Sequence, residues 1–292
     1  MKIKILIILF SLFPLFAQAQ LLWKITGKNL KKPSYLYGTM HTSHEKAFKL
    51  VDSLVVRIVT CETYAGEMIF DPAMLFAVMQ QLFMGKDTTL QTLLSAEEYA
   101  VVKKTIDEKL GMMAPMIDRM KPMFTSVLIQ AGDMENLMAT ADKPQRKPLD
   151  LHLQDEATKK SLSLVGLETL EEQMDVFNGI PLANQAKMLY REIVNLDKKI
   201  GDGDTSMEKM LDWYAAQKLD SLYQYASKEF ANEPALSYRI LTKRNLIMAD
   251  RIEKLIVEKS VFIAIGAAHL PDKQGVIELL RKKKFKVEAV KL

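Results

Sequence analysis

Two tetrapeptides near opposite ends of the 292-residue chain, Gly38-Thr39-Met40-His41 and Gly266-Ala267-Ala268-His269, constrain its fold more than any other feature. Each follows a β-rich run, Tyr35-Leu36-Tyr37 before the first and Ser260 to Ile265 before the second. With 12 glycines in 292 positions, a histidine has roughly a 4% chance of Gly three residues before it, so two of the four histidines sharing the pattern is on the order of a 1% accident. Glycine at a strand end permits backbone angles or a close approach that a side chain forbids, and the histidine then projects from the turn. In open α/β sheets such carboxyl ends border the ligand crevice. The pattern predicts that His41 and His269 meet there.

The remaining periodicity supplies the sheet and its cover. Leu21 to His41 reads as a hairpin with its turn at Gly27 to Pro33. Arg57-Ile58-Val59-Thr60-Cys61 is a β-rich run stopping at Glu62, Ser161 to Leu167 is another stopping at Glu168, and Phe285 to Val290 is the last. Apolar residues at helical spacing mark Pro72 to Phe83, Ala96 to Leu110, Pro122 to Ile129, Leu170 to Phe177, Ala183 to Leu196, Met207 to Phe230 and Pro234 to Glu258. Ser95 with Glu98, and Thr169 with Glu172, fit the capping box that starts a helix. The expected fold is α/β, a mixed central sheet with flanking helices and a helix-rich middle insertion at about 70–147. Many of the 18 methionines lie in helical stripes and read as core filling.

Lys2 and Lys4 precede the apolar run Ile5 to Phe16, and Ala17-Gln18-Ala19 closes it as a signal-peptidase site would. Residues 1–19 are therefore expected to be a signal peptide, and 20–292 one domain working in the periplasm or outside the cell. About a dozen apolar residues are too few to span a bilayer, and no later run is apolar for long enough, so stable membrane insertion is not expected. Without Lys2 and Lys4, the 40 basic residues become 38 against 36 acidic ones, which gives no reason to expect nucleic acid. The single cysteine, Cys61, cannot form an internal disulfide and reads as a core residue.

Glu62 and Glu168, at the ends of β-rich runs, are the carboxylates expected beside the two imidazoles. Two His with one Glu form a known ligand set for Zn, and with open positions suit Mn or Co. A metal so held lowers the pKa of its water enough to supply hydroxide near neutral pH. Glu168 has a plainer reading beside a helix start at Thr169, where a carboxylate favours the positive helix end. His44 reads as solvent-facing, and His152 has no evident partner. Arg244, followed by Asn245 in a helix rich in Leu, Ile and Met, can hold a carboxylate or steady an oxyanion; solvent exposure fits the periodicity equally. Asp202-Gly203-Asp204-Thr205-Ser206 fails as a calcium loop, with Met207 and Trp213 where Gly and Glu belong, and reads as a turn. No Gly-rich phosphate loop, Gly-x-Ser-x-Gly elbow or His-Glu-x-x-His helix occurs, so nucleotide binding and a serine triad are unsupported.

Tyr35-Leu36-Tyr37-Gly38-Thr39-Met40-His41, Gly166-Leu167-Glu168-Thr169 with Glu172-Gln173, Arg244-Asn245 with Met248 and Ile252, and Ile265-Gly266-Ala267-Ala268-His269-Leu270-Pro271 together resemble the TraB/GumN family. The family includes the animal Tiki proteins, metal-dependent membrane proteases, and is related to erythromycin-esterase-like and ChaN-like folds. The resemblance implies a metal or catalytic role for His41, His269, Glu62 and Arg244, with Gly38, Gly266, Glu168 and Asn245 supporting them. The resulting expectation is an exported hydrolase, a peptidase, using Mn, Co or Zn on a peptide or protein substrate. Two rivals stand beside it: a peptide- or signal-binding protein without turnover, and an ester hydrolase using histidine as base without metal.

Overall fold

The structure is a computed structural model that describes residues 20–28, 30–130, 146–201, 206–229 and 233–292. The expected signal segment, most of the Asp202 to Ser206 turn, and the first residues of Ala141 to Pro148, which the sequence marks as a loop, lie outside the described residues. Six strands, β1 (Leu22–Thr26), β2 (Ser34–Thr39), β3 (Thr63–Gly66), β4 (Ser163–Gly166), β5 (Val261–Gly266) and β6 (Lys286–Val290), form one sheet in the order β4-β3-β5-β2-β1-β6. β2, β5, β3 and β4 run parallel, whereas β1 is antiparallel to both β2 and β6. The mixed α/β class expected from the periodicity is therefore the one observed.

The residue pattern explains the placement of each strand. A parallel strand covered by helices on both faces reads as a continuous apolar run, and β5, Val-Phe-Ile-Ala-Ile-Gly, lies at the centre with its first five residues buried. β4, with Ser163 exposed, is an edge. Phe262 stacks on Tyr64 of the neighbouring strand at 6.2 Å between ring centroids, and Ile263 and Ile265 point to the opposite face. The Lys243–Glu258 helix packs against β5 and buries Met248, Ile252 and Ile256 at helical spacing in the same core.

One β-rich run is the end of a helix and the turn after it, not a strand. Arg57 to Cys61 was expected to be a strand, but Val51–Ile58 is an α-helix whose Leu54 and Ile58, four residues apart, face the core. The strand begins only at Thr63, so Glu62 precedes β3 instead of ending it. Burial at a spacing of four overrides the β preference of the Val and Ile residues. Two long helical stretches are also interrupted. Ser206–Ala215 and Leu219–Glu229 are separate helices, with Gln217 between them at φ 56. Pro234–Ser237 passes through a π-helical turn, Tyr238–Thr242, into Lys243–Glu258.

A second apolar cluster lies within the middle helices. Leu90, Val102, Ile106, Leu110, Ile117 and Ile129 pack against Leu189 and Ile193 of the Leu182–Gly201 helix, apart from the core around the sheet. Both capping boxes form as the sequence indicates, at Ser95 with Glu98 and at Thr169 with Glu172. Among the described residues no helix is long and apolar enough to cross a membrane.

All four parallel strands finish on, or one residue past, a glycine: Gly38, Gly66, Gly166 and Gly266. At Gly38 the reason is a close approach, since a Cβ there would lie 3.0 Å from Ala267 Cα and 3.1 Å from Ala267 Cβ. The two histidine turns press against each other, and only a bare Cα fits between them. Gly38→Ala is expected to destabilise the protein by about 1–3 kcal/mol, the usual penalty for overpacking. Gly85→Ala, whose Cβ would meet nothing within 4 Å, is the matched control in a urea titration. Equal midpoints for the two variants would contradict the packing argument.

Candidate active site

β2, β3, β4 and β5 release the chain at the same edge of the sheet, and each delivers one ionisable side chain. Gly66 is followed directly by Glu67, Gly166 by Leu167 and Glu168, and the two Gly-x-x-His turns carry His41 and His269. Main-chain hydrogen bonds knit the β3 and β4 exits together, Leu167 N–H donating to Gly66 O at 2.8 Å and Glu168 N–H to Glu67 O at 2.7 Å. This edge is the carboxyl end of parallel strands, where α/β folds place their ligands.

Arg244, at the start of the Lys243–Glu258 helix, joins the parts. Its Nε donates to both Glu168 oxygens at 2.9 and 3.1 Å, and Nη2 donates to Glu168 Oε2 at 2.6 Å and to Glu67 Oε2. Nη1 reaches His269 Nε2 at 3.2 Å and the Ile240 carbonyl at 3.4 Å. The side chains of Arg244, Glu67 and Glu168 are only 13%, 12% and 1% exposed. Charges so desolvated are tolerable only when paired and hydrogen-bonded, and here both carboxylates use the same guanidinium. Below them, Arg251 grips Glu172 through both nitrogens at 2.6 Å and donates to Leu167 O at 2.6 Å, which braces the turn that carries Glu168.

Glu67 is fixed from a second side. Gly266 N–H donates to its Oε1 at 2.6 Å, and a Cβ at residue 266 would lie 3.0 Å from that oxygen and 3.5 Å from His269 Cδ2. Glycine at 266 thus lets a carboxylate lie flat against the backbone. Burial opposes the charge on Glu67, but His269, Arg244, His41 and the Gly266 N–H together outweigh it and hold the carboxyl down to about 2. Arg244, depressed by burial, is raised on balance by Glu168 and Glu67.

The buried His269 has one defined tautomer. Asn245 donates its amide N–H to Gln274 O at 2.9 Å, so its Oδ1 faces His269 Nδ1 at 2.6 Å and must accept. Nδ1 therefore carries the proton, and the Nε2 lone pair points to Arg244 and Glu67, with Glu67 Oε1 3.7 Å away. Burial pushes His269 down to about 4 despite the pull of Glu67, so the ring is neutral at neutral pH.

His41 sits at the rim with its side chain 66% exposed. Its Nδ1 is 3.2 Å from Oδ1 of Asp150, in the first turn of the Leu149–Lys159 helix. The Asp150 carboxylate beside it, with the field of Glu67 acting in the same direction, pushes His41 up to about 9 against burial and Arg244. The turn itself is anchored from below: Tyr214 OH donates to Gly38 O at 2.8 Å, and Tyr37 OH lies 2.9 Å from the same Tyr214 hydroxyl.

His41, His269, Glu168, Arg244, Asn245, Gly38 and Gly266 all stand at this edge. Glu62 does not. It precedes β3, its side chain is 49% exposed, and it accepts from Ser260 N–H at 2.9 Å and Lys32 Nζ at 3.1 Å, at the amino ends of β3 and β5. The acidic residue of the crevice is Glu67, five positions later. Reading the helix end and turn at Arg57 to Cys61 as a strand moved the expected carboxylate to the wrong end of β3; the Gly66-Glu67 pair, parallel to Gly166-Leu167-Glu168, carried the correct signal. Asp150 was also missed, having no motif of its own. His44 caps the Glu45–Phe48 turn, His152 packs edge-on to Phe48, and Cys61 is a buried thiol, pushed up to about 11 chiefly by burial.

The donor set suits a divalent cation in chemistry. His269 Nε2 is a lone pair with its tautomer fixed from behind, as metal-ligating histidines have, and Glu67 is ionised. Two ligand atoms at about 2.1 Å from a tetrahedral ion stand about 3.4 Å apart, close to the 3.7 Å between His269 Nε2 and Glu67 Oε1. Among the described residues, however, no three such donors are drawn around one point, and Arg244 Nη1 lies on the same lone pair.

A mixed α/β sheet whose parallel strands gather two histidines, two buried glutamates and an arginine at their carboxyl ends defines an α/β protein with a strand-end site. The chain belongs to the TraB/PrgY/gumN family, whose model matches residues 21–289. It is similar to Metalloprotease TIKI2 of Danio rerio, 24% identical with 91% of this chain and 60% of the relative covered. It is also similar to Metalloprotease TIKI1 of Danio rerio, at 24% with 88% and 60% covered, and of Homo sapiens, at 22% with 88% and 59% covered. The chain thus spans about three-fifths of the length of the curated relatives it matches. No solved structure matches it significantly.

Asn245→Ala is expected to leave the buried His269 Nδ1–H without an acceptor and to cost about 1–3 kcal/mol of unfolding free energy. Nitrogen chemical shifts of the His269 ring would register loss of the single tautomer. Unchanged ring shifts in the variant would mean that Asn245 does not set the proton's position.

Proposed function

We propose that the chain is an exported metal-dependent hydrolase that cleaves peptide bonds. The observation that carries this reading is the His269 Nε2 lone pair, fixed by Asn245 and 3.7 Å from an ionised Glu67, at the strand edge that also presents His41. The relatives named metalloproteases supply the reaction class, and the apolar run behind Lys2 and Lys4 supplies the expectation of export.

His269 and Glu67 would hold the cation together with His41, whose Nε2 would have to give up the proton that Asp150 favours, Glu67 taking the part expected of Glu62. Such an ion, Mn, Co or Zn, supplies a water acidic enough to be hydroxide near neutral pH. The chain's own residues do the rest. Asn245 holds His269 in the tautomer that leaves Nε2 unprotonated. Glu168 makes the larger share of the Arg244 hydrogen bonds, so the guanidinium stays fixed at the strand ends. Arg244 Nη1, which would release His269 Nε2 to the cation, is then the donor placed for the oxyanion that develops on the scissile carbonyl. Asp150 fixes the His41 ring at the open side of the crevice, where an extended peptide can enter.

A metal-independent hydrolase is the second reading, favoured by one contact: Arg244 already sets a permanent cation against the His269 lone pair, 3.2 Å away. Elemental analysis of the purified 20–292 chain, with a peptide-library digest in Mn and in chelator, separates the readings. We expect bound Mn, Zn or Co and metal-restored cleavage, both lost in His41→Ala and His269→Ala and retained in Glu62→Gln. Cleavage that persists in chelator would select the second reading. Saturable peptide binding without cleavage under any metal would overturn both and leave a binding protein.

A further inference from the structure

Thr39 lies between Gly38 and His41, is 2% exposed, and has an Oγ1 without a hydrogen-bond partner among the described residues. In the β2–β5 ladder Thr39 is paired with Gly266. Partners in a parallel ladder carry their side chains on the same face of the sheet. A Cβ on Gly266 would point at Glu67 Oε1, 3.0 Å away, and at His269 Cδ2, 3.5 Å away. The Thr39 side chain is therefore on the face to which Glu67, from two strands away, reaches back over Gly266, with His269 one strand over.

A shielded hydroxyl with nothing to bond costs folding free energy, and valine of the same shape would avoid that cost. Such a group in a folded protein marks the place of a missing small partner. Its neighbour restricts what that partner is. Ionised Glu67 accepts only, so a molecule placed between them has to donate to the carboxylate while bonding a hydroxyl that gives or takes. Water does both.

We infer that Thr39 Oγ1 holds and orients the attacking water against Glu67, as a positioning hydroxyl of the site. This rests on the hydrolase reading given above. Thr63 is a matched control, because its Oγ1 is also buried without a partner, but at the first residue of β3, the far end of the strand from Glu67.

The test compares Thr39→Val, Thr39→Ser and Thr63→Val in the full 20–292 chain. Thermal unfolding checks that each variant is folded, and cleavage of a peptide found in the library digest reads the water. Thr39→Val should lose at least tenfold in kcat with KM little changed, Thr39→Ser should recover to within a few-fold of wild type, and Thr63→Val should turn over as wild type. Undiminished kcat in folded Thr39→Val would show that the hydroxyl does not touch the water, and failure of Thr39→Ser to recover would show that the hydroxyl is not what matters; either overturns the inference alone. Absence of cleavage by the wild-type chain would instead sink the hydrolase reading, and the water's role with it.

Discussion

The guanidinium of Arg244 is the interaction on which the strand-end edge depends. Without it, Glu67 and Glu168 would be two carboxylates buried side by side at the exits of adjacent strands, and burial would force one or both to take up a proton. With it, both are charged and their strands are tied to a helix that comes from a different part of the chain. The grip also continues to His269, so one planar group sets the relative positions of three side chains from β3, β4 and β5. Lysine could not replace it, since a single ammonium lacks the fork that meets a carboxylate on two sides and a ring nitrogen on a third.

The two histidines occupy opposite environments despite their shared motif. His269 is enclosed, neutral and locked by an amide; His41 is open to solvent and drawn towards its cationic form by Asp150. The difference follows from what covers each turn. Arg244 of the Lys243–Glu258 helix reaches the His269 ring, whereas the His41 ring, at the β2 exit, has Asp150 of the Leu149–Lys159 helix beside it and solvent on its other side. One ring is thus a fixed part of the frame, and the other faces whatever enters.

Much of this was legible in the residues. The Gly-x-x-His turns announced both imidazoles because glycine is needed for a physical reason at each: contact with Ala267 at Gly38, and contact with the Glu67 carboxylate at Gly266. Strands β1, β2, β4, β5 and β6 and both capping boxes follow from period and composition. The failures have one origin. Ile58, Val59 and Thr60 favour a strand locally, but Leu54 and Ile58 are buried at helical spacing, and that tertiary choice moved β3 downstream and exchanged Glu62 for Glu67. Asp150 could not have been read at all, since its role comes from a helix packing beside a turn more than a hundred positions earlier.

The sheet order has a consequence for how such a chain matures. β1, close behind the expected leader, is flanked on one side by β2 and on the other by β6, made of the last strand-forming residues, 286–290. The edge that β6 closes cannot form until residues 286–290 have been made, and β5, which leads to His269, precedes them only shortly. The strand-end cluster therefore stays unassembled while the first four strands exist alone, and it comes together in one late step when β5 slots between β3 and β2. The order of the strands acts as a timer on the cluster.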